Sequence, residues 1–279
     1  MTVASGVAYR RFPAGSPLGR DSGASVLDVD MAAPGIRVKV VSERPQVKAG
    51  RVYAEAHTVS DWCRRSHAIG GINGGFFGVT DGMRKEVIGL LAAGGEIHST
   101  GRLVQARGLR GTRFARSVLG FDATGRPQIA WAAGTRGRAA LLTLFQEPVN
   151  PRSQGYWQVD SAVACGPRLI QDSAIRIHDH EERLVSPAAL PRTFVGYDLN
   201  RGRPAHLALC VAQAMTFADA AAFLQSYFGK YHRSAYAQAM ALDGGASSQL
   251  AYRAGSDYAD AMPTLVTVPT AVLILNADH

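Results

Sequence analysis

Apolar and polar residues alternate from Ala24 to Val29 and again from Ile36 to Ser42. This is the period-two pattern of strands, and Ala33-Pro34-Gly35 supplies a turn between them. Thr58 to Ser66 has the pattern of a short helix, with Thr58 or Ser60 as its cap. Ala68 to Ile72 follows as a short buried strand and runs into Asn73-Gly74-Gly75-Phe76-Phe77. Three pairs of strand-like runs then flank turn residues. Val87–Ala93 and Glu96–Ser99 flank Gly94-Gly95, and Ser117–Asp122 and Pro127–Trp131 flank Ala123-Thr124-Gly125-Arg126. Thr193–Asp198 and His206–Ala212 flank Asn200-Arg201-Gly202-Arg203.

Phe217 to Phe228 is the clearest helix. Thr216 and Asp219 have the spacing of a capping box, and Phe217, Ala220, Ala221, Leu224 and Phe228 form one apolar stripe. Gly229 supplies a stop. A short strand, Ala239 to Leu242, leads into Asp243-Gly244-Gly245-Ala246-Ser247-Ser248, and Leu265 to Leu275 is the last strand. Three hairpins argue for antiparallel pairing over a doubly wound parallel sheet. The chain shows no internal repeat, low-complexity tract or linker. The expected architecture is α+β: mixed, largely antiparallel sheets with a few packed helices, in a single domain over residues 1–279.

Composition narrows the class. Of the 279 residues 47% are apolar and 19% charged, an ordinary soluble balance, and no apolar run reaches membrane-span length. Met1 to Arg20 lacks the basic start and apolar stretch of a leader, which leaves two compartments open: the cytoplasm, or an export route whose leader has been removed. Cys63, Cys165 and Cys210 are odd in number and widely spaced, so they read as small core residues. The formal charge is +8, and the only lysines are Lys39, Lys48, Lys85 and Lys230. The arginines are scattered, with no basic run among aromatics. This excludes nucleic acid as the expected partner and leaves an anionic substrate.

The two glycine-rich turns carry the candidate chemistry. Each sets a polar side chain at a strand end and follows it with two glycines, which permit positive φ and close ligand approach. Their N–H groups can form an anion-binding concavity. Asn73 adds an amide, Asp243 an acceptor, and Ser247 and Ser248 two hydroxyls. A pair of tight turns closed by Asx hydrogen bonds is the plain alternative. In Pro191-Arg192-Thr193-Phe194-Val195-Gly196 an arginine and a hydroxyl open an apolar strand, where the guanidinium can fork onto phosphate or lie exposed at a strand edge. His178-Asp179-His180-Glu181-Glu182 is dense in ligand-type residues but contiguous and without a matching second cluster, so it reads as a solvated loop and no metal is expected. His57, His67 and His98 are isolated and read as structural or surface residues.

These segments, in this order, resemble the phosphodiester glycosidase family over nearly the whole chain. Asn73-Gly-Gly-Phe-Phe paired with Asp243-Gly-Gly-x-Ser-Ser is the specific element of the likeness. Gly166-Pro167 and Pro191-Arg192-Thr193 match two further family segments. Ala246 stands where a third glycine is usual, and Cys210-Val211-Ala212-Gln213 stands where many relatives carry Asp-Gly-Arg. The resemblance implies hydrolysis of the bond between a sugar's anomeric carbon and a phosphodiester, on a small-molecule or glycan sugar-phosphate substrate and without a cofactor. For that reaction Asp243 is expected to take the carboxylate role, as base or electrostatic stabiliser. Arg192 and the N–H groups of Gly74, Gly75, Gly244 and Gly245 would hold phosphate, and Asn73, Ser247 and Ser248 would bind sugar hydroxyls or orient water, with Thr193 beside them. The departure at Cys210–Gln213 keeps two alternatives: a non-catalytic carbohydrate- or phosphate-binding domain of the same fold, and a phosphodiesterase that cleaves the P–O bond.

Overall fold

The structure is a computed structural model that describes residues 1–19, 22–79, 83–101, 104–105, 113–135 and 139–277. Every strand pair in its sheets, among the described residues, is antiparallel. The same residues contain only two α-helices, α1 (Val59–Arg65) and α2 (Phe217–His232). The α+β expectation is therefore corrected to a mainly β fold. The antiparallel part of the expectation holds, and where a short turn joins two paired strands it can only pair them antiparallel. Among the described residues no helix is long and apolar enough to cross a membrane.

Three sheets carry the architecture. An eight-stranded sheet has at its centre the strands Ala24–Asp30, Arg203–Met215, Leu190–Asn200 and Gln238–Ala241. A seven-stranded sheet contains Leu90–Ala93, Ser161–Cys165, Arg116–Phe121 and Pro127–Gly134, and a five-stranded sheet has Gly70–Asn73 between Leu250–Ala254 and Ala271–Asn276. All three expected hairpins form. The two N-terminal strands form as well, but they do not pair with each other. Ala24–Asp30 lies in the eight-stranded sheet, and Ile36–Val41 crosses to the edge of the five-stranded one. The last strand is shorter than its apolar pattern, Ala271–Asn276, and Leu265 is 96% exposed.

The side-chain period explains the layering. Leu27, Val29, Val195, Leu209 and Met240 face a central core shared with Ile72, Val272 and Ile274 of the five-stranded sheet and Leu119 and Val163 of the seven-stranded one. The intervening Val26, Phe194, Cys210 and Ala239 face the other way, onto Phe217, Phe223, Leu224 and Phe228 of α2. On the far side, Leu273 and Leu275 pack against Val59, Trp62 and Cys63 of α1. Strands buried on both faces account for the nearly unbroken apolar runs in the sequence. The three cysteines are buried free thiols. Thr58 caps α1, and Thr216 with Asp219 forms the expected capping box of α2. α2 does not stop at Gly229: it runs on to His232 and ends at Arg233, whose φ is +53°.

Candidate active site

The two glycine turns meet. Gly70–Asn73 ends in the middle of the five-stranded sheet, and Gln238–Ala241 ends in the eight-stranded one beside it. Asn73 is 0% exposed and joins them: its Nδ2 donates to the Asp243 carbonyl at 2.7 Å, and the Asp243 N–H donates to the Gly74 carbonyl at 3.1 Å. The Asn73 Oδ1 accepts from Thr193 Oγ1 at 2.7 Å and from the Gln249 N–H at 3.0 Å. Both ends of the amide are used inside the protein, so Asn73 is enclosed, whereas Asp243 is only partly buried. Thr193 is likewise 0% exposed. Gln249, which the sequence reading passed over, also accepts from the Val59 N–H at 2.9 Å and so ties α1 to the knot.

The first turn is packed, not open. Gly74 and Gly75 have ordinary φ, and each is glycine because a Cβ would overlap a neighbour: Thr270 Oγ1 at 2.4 Å and the Ala164 carbonyl at 2.5 Å, respectively. Their N–H groups donate to the Thr270 carbonyl at 2.9 Å and to Thr270 Oγ1 at 3.1 Å. This corrects the expectation that they hold phosphate, since both donors are already satisfied. The second turn is different. Gly245 has φ +64° and open space where a Cβ would stand, and Gly245–Ser247 forms one turn of 3₁₀ helix. Ala246 takes no positive φ, which accounts for the missing third glycine.

Asp243 is the ionisable centre of this second turn. Burial pushes its carboxyl up to about 6, against hydrogen bonds from the Ser247 side chain and the Gly244 N–H and the nearby charge of Lys85. Lys85 was not expected. It sits on the strand Arg84–Val87, donates to the Thr267 carbonyl at 2.7 Å and lies 4.6 Å from the centre of the Phe77 ring. Its rarity among the basic residues was the one available signal. The Ser248 hydroxyl is buried and has no partner among the described residues.

Arg192 lies under the second turn, with its Cδ 3.8 Å from where a Gly244 Cβ would be. Nε donates to the Met215 carbonyl at 3.0 Å, Nη2 to Ser186 Oγ and the Ala188 carbonyl, both at 2.9 Å, and the guanidinium stacks 4.1 Å from the Phe217 ring. Burial lowers its pKa, and no carboxylate pairs with it among the described residues. It is not the exposed strand-edge arginine of the alternative reading.

Phe76 and Phe77 form one wall of a cavity of about 1110 Å³, which Arg116, Ser99 and Leu184 also line; Asp243 does not line it. Arg116 Nη1 is buried without a partner among the described residues. Burial pushes the Cys165 thiol well up, and the charges of Asp243 and Arg116 act on it in opposite directions. The loop at 178–182 is irregular, but it is not uniformly solvated. Glu182 is 0% exposed and accepts from the Ser117 N–H and Oγ, Trp131 Nε1 and the Arg168 N–H at 2.7–3.0 Å. Burial raises its pKa in spite of the four donors. The loop is pinned by a carboxylate that a string of adjacent charged residues could not reveal.

A sequence profile described as phosphodiester glycosidase matches residues 66–275. No curated protein matches the chain significantly. Among solved structures, a hypothetical protein from Synechocystis is 15% identical with a TM-score of 0.57, over 97% of this chain and 62% of that one. The chain thus spans less than two thirds of that relative. The zebrafish N-acetylglucosamine-1-phosphodiester alpha-N-acetylglucosaminidase catalytic domain, auto-inhibited by its pro-peptide, is 16% identical with a TM-score of 0.56, over 98% of this chain and 84% of that one. At these identities the structures speak to the fold, which they share with this chain from end to end. The profile covers most of the sequence, and both glycine turns lie within it: the chain belongs to the phosphodiester glycosidase family.

Proposed function

We propose that this protein hydrolyses the glycosidic bond between a sugar anomeric carbon and a phosphodiester. The observation that carries the reading is Asp243: a largely buried carboxyl with its pKa near 6, fixed by the knot between two glycine turns, with Lys85 close by. A phosphodiester is a weak base and leaves readily, so the reaction needs little general-acid help. It needs a carboxylate to stabilise positive charge on the sugar ring or to activate water. At neutral pH Asp243 is mostly ionised and suits either role.

In this reading Lys85 and Arg192 supply positive charge for the phosphate, together with the N–H group of Gly245, while the Gly244 N–H holds the Asp243 carboxylate. Ser247 orients the carboxylate, and the unpartnered Ser248 hydroxyl meets the sugar. Asn73 and Thr193 act as positioning residues, since their polar groups are spent inside the fold. Gly74 and Gly75 serve packing.

The test is hydrolysis of a panel of sugar-1-phosphodiesters in oxygen-18 water. Label in the released sugar is the expected result. Label in the phosphate would instead establish P–O cleavage. Binding of the panel without turnover by folded protein would leave a non-catalytic domain.

A further inference from the structure

At the opposite end of the strand Gln238–Ala241 from Asp243 lies a second cavity, of about 450 Å³, between the eight-stranded and seven-stranded sheets. Gln238 and Asp243 are five positions apart, and neither Asp243 nor any residue of the second glycine turn lines this cavity, so the two sites are distinct. Arg168 lines this cavity and is 8% exposed. Its Nη2 donates to Gln238 Oε1 at 2.6 Å, and the guanidinium lies 5.1 Å from the centre of the Trp131 ring. Its Nε is buried and has no partner among the described residues. A buried donor without a partner is costly, and native proteins keep few of them.

The remaining polar lining is ordered around that arginine. Gln238 Nε2 donates to Asp172 Oδ1 at 2.7 Å and to the Tyr236 hydroxyl at 2.8 Å. Arg168, Gln238, Asp172 and Tyr236 thus form a continuous polar row. Gln128 and Gln154 stand in the lining, and amides both donate and accept. Arg168 and Asp172 balance in charge, so an anion gains little here. A ligand that suits such a lining is uncharged and carries adjacent groups that each donate and accept, which is the chemistry of vicinal hydroxyls. The volume lies in the range of small-ligand sites.

We propose that this cavity is a saccharide-binding subsite that takes a neutral sugar unit, apart from the Asp243 centre. It stands whether or not Asp243 is catalytic. The test titrates the full chain with neutral hexoses, N-acetylhexosamines and their disaccharides. Intrinsic tryptophan fluorescence, to which Trp131 of the cavity wall contributes, and calorimetry are the readouts. The expected dissociation constant is about 0.1–10 mM. Arg168→Lys keeps the charge and removes Nε, while Gln128→Ala removes an amide that makes no side-chain hydrogen bond among the described residues. Each should weaken binding by about tenfold or more, with Asp243→Asn unchanged. Gln128→Ala keeps the proposal testable should Arg168→Lys fail to fold. No binding up to roughly 100 mM would overturn the proposal. So would binding lost in Asp243→Asn but kept in Gln128→Ala, or binding confined to anionic sugars.

Discussion

On the proposed function, Asp243 would couple turnover to stability through a single proton. Burial holds its carboxyl near 6 in the folded protein, about two units above an unfolded carboxylate. A raised carboxyl contributes stability below its unfolded value, and that contribution is lost as pH climbs through about 6. Asp243→Asn removes the charge and keeps the shape. It should melt higher than wild type at pH 8, with the gap closing as pH falls toward 4, on the order of 1–3 kcal/mol at most. A lower melting point for the variant at pH 8 would show that the ionised carboxylate stabilises the fold. The same substitution should cut kcat by about 10²-fold or more, and the wild-type kcat/KM should rise through a limb near pH 6 that the variant lacks. Normal turnover in folded variant protein would remove Asp243 from the mechanism. Asp243 was legible in the sequence because a carboxylate after a short apolar strand and before two glycines is a local pattern. Lys85 was not, because its neighbours in space, Thr267 and Phe77, come together only in the fold. Asn73 was legible as a residue but not in its role, since nothing local shows that an amide will be enclosed.

Among the elements, α2 tests how far local rules reach. Gly229 has the local signature of a terminator, yet the helix continues for three more residues. Their contacts explain why: Tyr231 packs edge-on against Phe12, and His232 donates toward Asp28 at 3.1 Å and stacks on His206 at 3.7 Å. Tertiary contacts outweigh the roughly 1 kcal/mol that glycine costs inside a helix. Gly229 has no positive φ, and nothing lies within 4 Å of the place a Cβ would take. Gly229→Ala should therefore raise stability by about 0.5–1 kcal/mol, read as a higher urea midpoint. An unchanged or lower midpoint would mean the glycine is needed where it stands. Asp28 anchors the same helix. Burial pushes its pKa up, but bonds from His232 and Tyr227 outweigh that and hold it below the ordinary range. The Tyr227 hydroxyl donates to it at 2.7 Å, so Tyr227→Phe should cost about 1–3 kcal/mol. A thermal melt indistinguishable from wild type would show that His232 and Arg10 suffice. The capping box and the three hairpins were legible because both depend on residues within a few positions of one another. Sheet membership was not: the strands at Ala24–Asp30 and Ile36–Val41 are neighbours in sequence and part in space.

Across the whole molecule, the five-stranded and eight-stranded sheets are joined at the candidate site. Asn73 links the five-stranded sheet to Thr193 of the eight-stranded one and to the second turn. Asn73→Ala would strand a buried hydroxyl, an N–H and a carbonyl together. It should cost about 2–5 kcal/mol and lower the melting point by several degrees. A wild-type melting point would show that the sheets are held by their apolar core alone. Fold class was half legible at this scale. Turn chemistry announces antiparallel pairing, but the small share of helix emerges only once twenty-six strands, many of them two to four residues long, are paired among the described residues.

The knot has a kinetic consequence. Asn73 and Asp243 stand 170 positions apart. Closing so long a loop costs about 4–5 kcal/mol of chain entropy, whereas one hydrogen bond returns about 1. The turns cannot find each other as free peptides, and the intervening sheets must close first. During refolding, strand signal in the far ultraviolet should therefore recover before the proposed turnover of sugar-1-phosphodiesters, which would arrive only with the last sheet-to-sheet docking.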